Sequence, residues 1–210
     1  MTYRWLGAVL FTLPSFLLLF IYEHHELSFM GWVLLGIAAC AGFFLGNHYE
    51  QIRLLAYQDS LTGTLVNRRF VEMLEKEIKT AKRLNYQVTL LFIDLDNFKN
   101  YNDKYGHLAG DQILRKFAEL LKQNVRKNDV VGRWGGEEFV VLLPQADTQQ
   151  GMRIGERIRS SVRTELNGVT VSIGLATFPH HAENAMELAM VADTCMYEAK
   201  KKKDCLLTVM

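Results

Sequence analysis

Two regimes of hydrophobic patterning divide the chain. Residues 5–22 run for 18 positions without a charge, and residues 27–46 for a further 20. A helix needs about 20 apolar residues to cross a bilayer, so both stretches are long enough, the first with little tilt. A cleaved signal peptide would carry a shorter apolar run, about 7–15 residues. The pattern therefore predicts a two-helix transmembrane hairpin over residues 1–46. Pro14 lies inside the first span, where transmembrane helices tolerate it. Beyond the hairpin, Leu45, Tyr49, Ile52 and Ala56 recur at helical spacing. They predict a helical linker over residues 47–58. Its apolar edge either completes the exit of the second span or pairs with a second copy along a short heptad seam.

From residue 59 onward the apolar positions alternate between helical and strand periods. Residues 67–85 read as a helix with Phe70, Met73, Leu74, Ile78 and Ala81 on one side. Residues 88–94 are a short apolar run ending in Asp94, the signature of a buried strand. A second long helix covers 107–126, with Leu108, Ile113, Leu114, Phe117, Leu120 and Leu121 along it. Val130-Val131 and residues 139–143 read as two strands joined by a tight turn at Gly135-Gly136, with Pro144 closing the second. A helix over 148–163, a strand over 169–178, a helix over 183–200 and a last strand over 206–209 follow. This succession mixes hairpins with crossover helices. It predicts an α+β sandwich, with helices packed on a mostly antiparallel central sheet, over residues 59–210.

Composition sharpens this division. The chain has 210 residues, 49% of them apolar, which excludes disorder. Of 24 basic and 23 acidic residues, only Arg4, Glu23, Glu26 and Glu50 lie in the first 50. The remainder is close to neutral, so there is no basic footprint for nucleic acid. Three scattered cysteines, Cys40, Cys195 and Cys205, make neither a disulfide framework nor a metal cluster. The turn between the two spans, Glu23-His24-His25-Glu26, carries no Lys or Arg, whereas Arg4 and Arg53 flank the hairpin. The positive-inside rule then places both termini in the cytoplasm. Adjacent histidines on so short a polar turn read as solvated side chains.

The candidate chemistry is acidic. Asp94 ends a buried strand and Asp96 follows two residues later, while Glu137 and Glu138 follow the glycine turn. If these strands are neighbours, carboxylates from both meet at one sheet edge. Mg²⁺ prefers oxygen ligands, typically one or two carboxylates together with substrate phosphates. Two such ions can clamp the attacking and leaving oxygens of a phosphoryl transfer. Gly135-Gly136 would let the backbone approach a bulky phosphate ligand. Acidic strand ends and glycine hairpins are also common without any such role.

The exact strings narrow the choice. Arg133-Trp-Gly-Gly-Glu-Glu-Phe139 resembles the GGDEF/GGEEF signature of diguanylate cyclases. Asp59-Ser-Leu-Thr-Gly-Thr-Leu-Val-Asn-Arg-Arg69 is similar to that family's opening motif. Asp94-Leu-Asp-Asn-Phe-Lys-Asn-Tyr-Asn-Asp103, Gly106-His107 and Gly110-Asp111 are similar to its central one. Ser172-Ile-Gly174, Ala192-Asp193 and Tyr197-Glu-Ala-Lys200 are similar to its closing ones. The resemblance covers about residues 57–210. It implies a fold like the palm of polymerases and class III nucleotidyl cyclases. It implies synthesis of cyclic di-GMP from two GTP, with release of two pyrophosphates by two subunits that face each other as a homodimer.

Carried over by position, the resemblance makes Asp94, Glu137 and Glu138 the catalytic set. The same three, with the Leu95 carbonyl, would hold Mg²⁺ or Mn²⁺, two ions per site, and either glutamate could serve as base. Asn102 and Asp111 match the guanine readers, and Phe98, Lys99, His107 and Lys200 complete the substrate-binding set. Arg126, Asp129 and Arg157 match an inhibitory site for the cyclic di-GMP product. With the leader, the resemblance implies a multi-pass protein of the bacterial inner membrane. One departure stands out. Where the family carries an arginine that touches GTP phosphates, this chain has Asp204, and Lys203 beside it is the nearest replacement charge. A lesser departure is Thr64, where leucine is usual. Asp204 leaves open a second reading, a catalytically silent domain that binds nucleotide and signals by contact.

Overall fold

A computed structural model describes residues 29–55, 57–166 and 168–209. The chain divides into two compact units, before and after the Ala56–Tyr57 junction. In the first unit, helix α1 (Phe29–Leu55) is continuous. Its segment Gly31–Tyr49 is the one helix among the described residues long and apolar enough to cross a membrane. At 1.5 Å per residue, those 19 residues cover about 28 Å. Trp32, Leu34, Ile37 and Phe44 are exposed along it. Among the described residues the structure thus supplies one candidate span of the expected two-helix hairpin. The first expected span, its turn and Ala56 lie outside the described residues. The helix continues past Gly46 to Leu55, and Leu45 and Tyr49 of the suggested seam are exposed on it.

The second unit contains β1 (Leu65–Val66), α2 (Asn67–Leu84), β2 (Val88–Leu95), α3 (Phe98–Tyr105), α4 (His107–Gln123), β3 (Val130–Gly135), β4 (Glu138–Pro144), α5 (Thr148–Glu165), β5 (Val171–Phe178), α6 (Ala185–Lys202) and β6 (Leu206–Thr208). The strands form one six-stranded sheet in the order β1-β3-β4-β2-β5-β6. The inner pairs β3–β4, β4–β2 and β2–β5 are antiparallel, but β1 pairs with β3 and β6 with β5 in parallel. The sheet is therefore mixed, which corrects the expected mostly antiparallel one. The cause at one edge is the α6 crossover. It returns the chain to the end of β5 from which it started, so β6 must run parallel. At the other edge β1 has two residues, too short to leave a period in the sequence.

Every residue of β2 is buried, as befits a central strand covered on both faces. Side chains alternate between faces along a strand. Leu91, Ile93 and Leu95 join the cluster beneath α4 and α5, which includes Phe117, Leu121, Ile158 and Val162. Val88, Leu90 and Phe92 join Phe70, Leu74, Leu188 and Met196 beneath α2 and α6. By the same alternation Asp94 falls on the α6 side, and this parity decides which helix can supply its partner.

The backbones of β5 and α6 approach each other closely. A Cβ placed on Gly174 would lie 2.1 Å from both the Ala192 carbonyl oxygen and the Met196 nitrogen. Both are backbone atoms of α6 and cannot swing aside. Gly174→Ala is expected to lower unfolding stability by about 3 kcal/mol, read from a denaturant titration of the full-length protein in detergent. An unchanged midpoint would mean that α6 shifts freely on the sheet.

Candidate active site

Strand pairing brings the acidic residues together. Asp94 stands opposite Glu138 across β2 and β4, and the Leu95 N–H reaches the Glu137 carbonyl at 3.4 Å. Between β3 and β4 the chain turns at Gly136, whose φ of +44° favours glycine, after a register shift between Arg133 and Gly135. Glu137 and Glu138 are half-buried at the start of β4.

A strap holds this turn. The Arg133 guanidinium donates to the Gly136 carbonyl from Nε (3.0 Å) and Nη2 (2.7 Å), and to Asp59 Oδ1 from Nη1 (3.0 Å). Asp59 also accepts from the Thr62 N–H and hydroxyl, at 2.9 and 2.7 Å. Burial alone would push the Asp59 carboxyl up, but the Thr62 hydrogen bonds and Arg133 outweigh it and hold it below the usual aspartate value. Asn67 adds a side-chain bond to the Trp134 carbonyl at 3.3 Å. Asp59 and Arg133 both sit in strings that the sequence singled out, but only the fold reveals that they pair.

Asp94 is wholly buried. Its Oδ2 accepts from Lys200 Nζ at 2.6 Å, and its Oδ1 is buried with no hydrogen-bond partner. Burial pushes its pKa up to about 6, with Glu137 and Glu138 adding to the rise and Lys200 opposing it. Burial also raises Glu138, helped by Asp193 and Glu137 against Lys200. For Lys200, burial disfavours the charge, but the Asp94 hydrogen bond and the neighbouring glutamates shift its pKa upward overall. Asp96 differs. Its oxygens accept from Ser172 (2.7 Å), Thr170 (2.6 Å) and the Asp204 N–H (2.9 Å), so it ties strands and turns together.

Among the described residues, no three His, Cys, Asp or Glu side chains are grouped as a metal cage. The donors nevertheless suit a cation completed by substrate. One Asp94 oxygen lacks a partner, the other already carries the Lys200 ammonium, and Glu138 pairs across the strand. Mg²⁺ commonly takes one or two carboxylates plus phosphate oxygens and water. Leu95, the last residue of β2, is next to Asp94 in this edge.

The other predicted residues fall into two groups. Asn102 on α3 and Gly110-Asp111 on α4 adjoin. A Cβ on Gly110 would come within 1.8 Å of Asn102 Oδ1, and that oxygen is buried without a partner. Lys99 and His107 are exposed at the starts of the same two helices. The Phe98 side chain is core, only 7% exposed, so its backbone is what it can offer a ligand. Arg126 and Asp129 form their own cluster. The Arg126 N–H donates to Asp129 Oδ2 at 2.7 Å, and both line a cavity of about 330 Å³ with Thr64 and Lys122. Burial raises the Asp129 carboxyl, against the pull of Arg126 and Arg157. Arg157 itself donates to the Asn124 carbonyl at 2.5 Å.

The mixed sheet, its two helical layers and a carboxylate edge beside a glycine turn define an α+β domain of palm type. Residues 56–205 match the family model "Diguanylate cyclase, GGDEF domain". The chain is 35% identical over 208 residues to the Bacillus subtilis protein YhcK, covering 90% of this chain and 58% of that one. It is 40% identical over 157 residues to the Escherichia coli diguanylate cyclase DgcM, covering 72% of this chain and 38% of that one. The chain thus spans less than two thirds of these relatives' lengths. The coiled coil and GGDEF domain of DgcB from Caulobacter crescentus, solved with c-di-GMP, superposes with a TM-score of 0.78 at 25% identity. That match covers 84% of this chain and 98% of that one. The chain belongs to the GGDEF diguanylate cyclase family.

The strap gives a pH-dependent expectation. A carboxyl whose folded pKa is lowered adds stability above its unfolded value, and that stability is lost as pH falls through the folded pKa. Asp59→Asn is expected to cost about 1 kcal/mol at pH 7. The difference from the parent should vanish as pH drops well below 3.8, followed by unfolding titrations across pH. A cost independent of pH would assign Asp59 a purely neutral hydrogen-bonding role.

Proposed function

We propose that this chain is a membrane-anchored diguanylate cyclase that condenses two GTP into cyclic di-GMP and two pyrophosphates. The reading rests above all on the partnerless buried oxygen of Asp94, set opposite Glu138 at the glycine turn with Lys200 beside it. A group held so far from water is costly unless a ligand completes it. Mg²⁺ or Mn²⁺, bound by Asp94, Glu137, Glu138 and the Leu95 carbonyl, would neutralise phosphate charge when present. The relatives named as diguanylate cyclases support the same chemistry.

In this reading each subunit of a homodimer holds one GTP. Asn102 and Asp111 read the guanine, because a carboxylate accepts from its N1–H and N2–H₂ donors, a pair that adenine lacks. Backbone N–H groups over residues 97–99, with Lys99 and Lys200, hold the phosphates, and His107 borders the pocket. The 3′-oxygen of one GTP attacks the α-phosphorus of the other and loses its proton to a glutamate of the turn, Glu137 or Glu138. The bond from the α-phosphorus to the bridging oxygen breaks, and pyrophosphate leaves. The same step repeated in the other direction closes the ring. The leader would place the domain on the cytoplasmic side of a bacterial inner membrane, crossing twice, with both termini inside. The plane of the bilayer would concentrate the facing subunits.

Full-length protein in detergent, given GTP and Mg²⁺, should yield cyclic di-GMP and pyrophosphate. Asp94→Asn and Glu137→Gln should each reduce the rate at least ~100-fold while the thermal melt stays cooperative. Near-normal turnover in both would remove the carboxylate edge from catalysis. A parent that binds GTP without product would instead favour the silent-domain reading, toward which Asp204 leans.

Arg126, Asp129 and Arg157 are proposed to bind the product and restrain the enzyme, since arginine's planar fork suits phosphate and guanine edges. Arg126→Ala should raise the cyclic di-GMP concentration needed for half-inhibition about tenfold and leave the initial rate unchanged. Equal inhibition of the variant and its parent would reduce the cluster to a surface ion pair.

A further inference from the structure

A groove lies between α2 and α6, above the part of the sheet that carries Phe92 and Trp134. Ala185, Met186, Ala189, Met190 and Asp193 share one face of α6, and Val71, Leu74 and Glu75 share one face of α2. With Phe92 and Trp134 they line a cavity of about 380 Å³. That volume falls in the range of small-molecule sites, about 300–1,000 Å³. Its origin is in the sequence. α6 presents Ala185 and Ala189 to the groove, whereas Leu188 and Met196 on the same helix fill the core. Methyl groups at these two positions leave the space between the helices open.

The lining is apolar with one sign of charge. Leu74 and Phe92 are buried and lie deepest. The Trp134 ring packs against Phe92, with centroids 4.9 Å apart and planes at 71°. Met186 and Met190 are exposed, and their unbranched chains can adapt to an occupant. Glu75 and Asp193, one from each helix, are the charged side chains of the wall, and both are acidic. Neither has a hydrogen bond or ion pair among the described residues. Lys79 and Lys82 border Glu75 in an adjoining hollow, so Asp193 is the less compensated of the two.

We propose that this groove binds a small organic cation with an aromatic or short alkyl body. The apolar walls take the body out of water. The two carboxylates complement the charge, and the Trp134 ring adds its own attraction for a cation. An anion of the same shape would be repelled by Glu75 and Asp193. The site is separate from the one read as a cyclase, because none of the residues assigned there to metal or nucleotide lines the groove. Trp134 directly precedes the Gly135-Gly136 turn, so an occupant would rest against the root of that turn.

The test is calorimetric titration of the full-length protein, in a neutral detergent, with benzyltrimethylammonium and with phenylacetate as the anionic counterpart. The cation should bind saturably at one site per chain, and phenylacetate should bind at least ~10-fold more weakly. Asp193→Asn should weaken the cation about fivefold, and Trp134→Leu by a similar factor. Ala189→Phe should abolish saturable binding by filling the space. Asp193 is exposed, so its variant should keep the parent's thermal melt and carries the test even if Ala189→Phe folds poorly. No saturable binding to the parent, equal binding of phenylacetate, or an Asp193→Asn affinity within ~1.5-fold of the parent overturns the proposal. So does a parent that light scattering shows as a dimer and Ala189→Phe as a monomer, since the groove would then belong to a second copy of the chain.

Discussion

A charged carboxylate at the buried end of the central strand is the constraint around which this domain is arranged. Asp94 is 1% exposed in its side chain, and Lys200 is 43% exposed in its own. Desolvating such an ion can outweigh its attraction to a partner, so a buried pair is poor evidence of stability for its own sake. An apolar residue would complete the run of β2 more favourably. The strand, the crossover to α6 and the close approach at Gly174 together bring Lys200 to this one acid. The same pairing leaves the second acid oxygen buried without a hydrogen-bond partner.

Much of this was legible in advance because long helices and buried strands impose periods of 3.6 and 2 on their apolar positions. The helices from Asn67, His107 and Thr148 start where the pattern places them, and β2 and β4 follow their apolar runs. Pairing across the sheet leaves no comparable trace. The two-residue β1 and the parallel return of β6 could not be read, and so the mixed character of the sheet was missed. The acidic strings were visible as motifs, whereas the hydrogen-bond partners of their members were not. Asp96 looks like Asp94 in sequence, but Ser172, Thr170 and the Asp204 N–H saturate it. Phe98 sits among ligand candidates, yet its ring belongs to the core.

The departure at Asp204 illustrates why a local substitution cannot be judged from its own position. In isolation it replaces an expected cation with an anion. In the fold its carboxylate faces α5, two arginines of which, Arg159 and Arg163, neutralise it, while Lys203 one residue earlier donates to Asn97.

The Arg133 strap also determines where one module ends and another begins. Tyr57 accepts from the Val66 N–H at 3.0 Å, Gln58 bridges to Leu65, and Asp59 is fastened through Arg133 to the Gly136 carbonyl. The first residues after the N-terminal helix are thus woven into the glycine turn itself. A splice ahead of Tyr57 exchanges the preceding helix and leaves this weave whole, whereas one placed later cuts the turn's own support. The seam for recombination in this architecture is therefore a single peptide link wide.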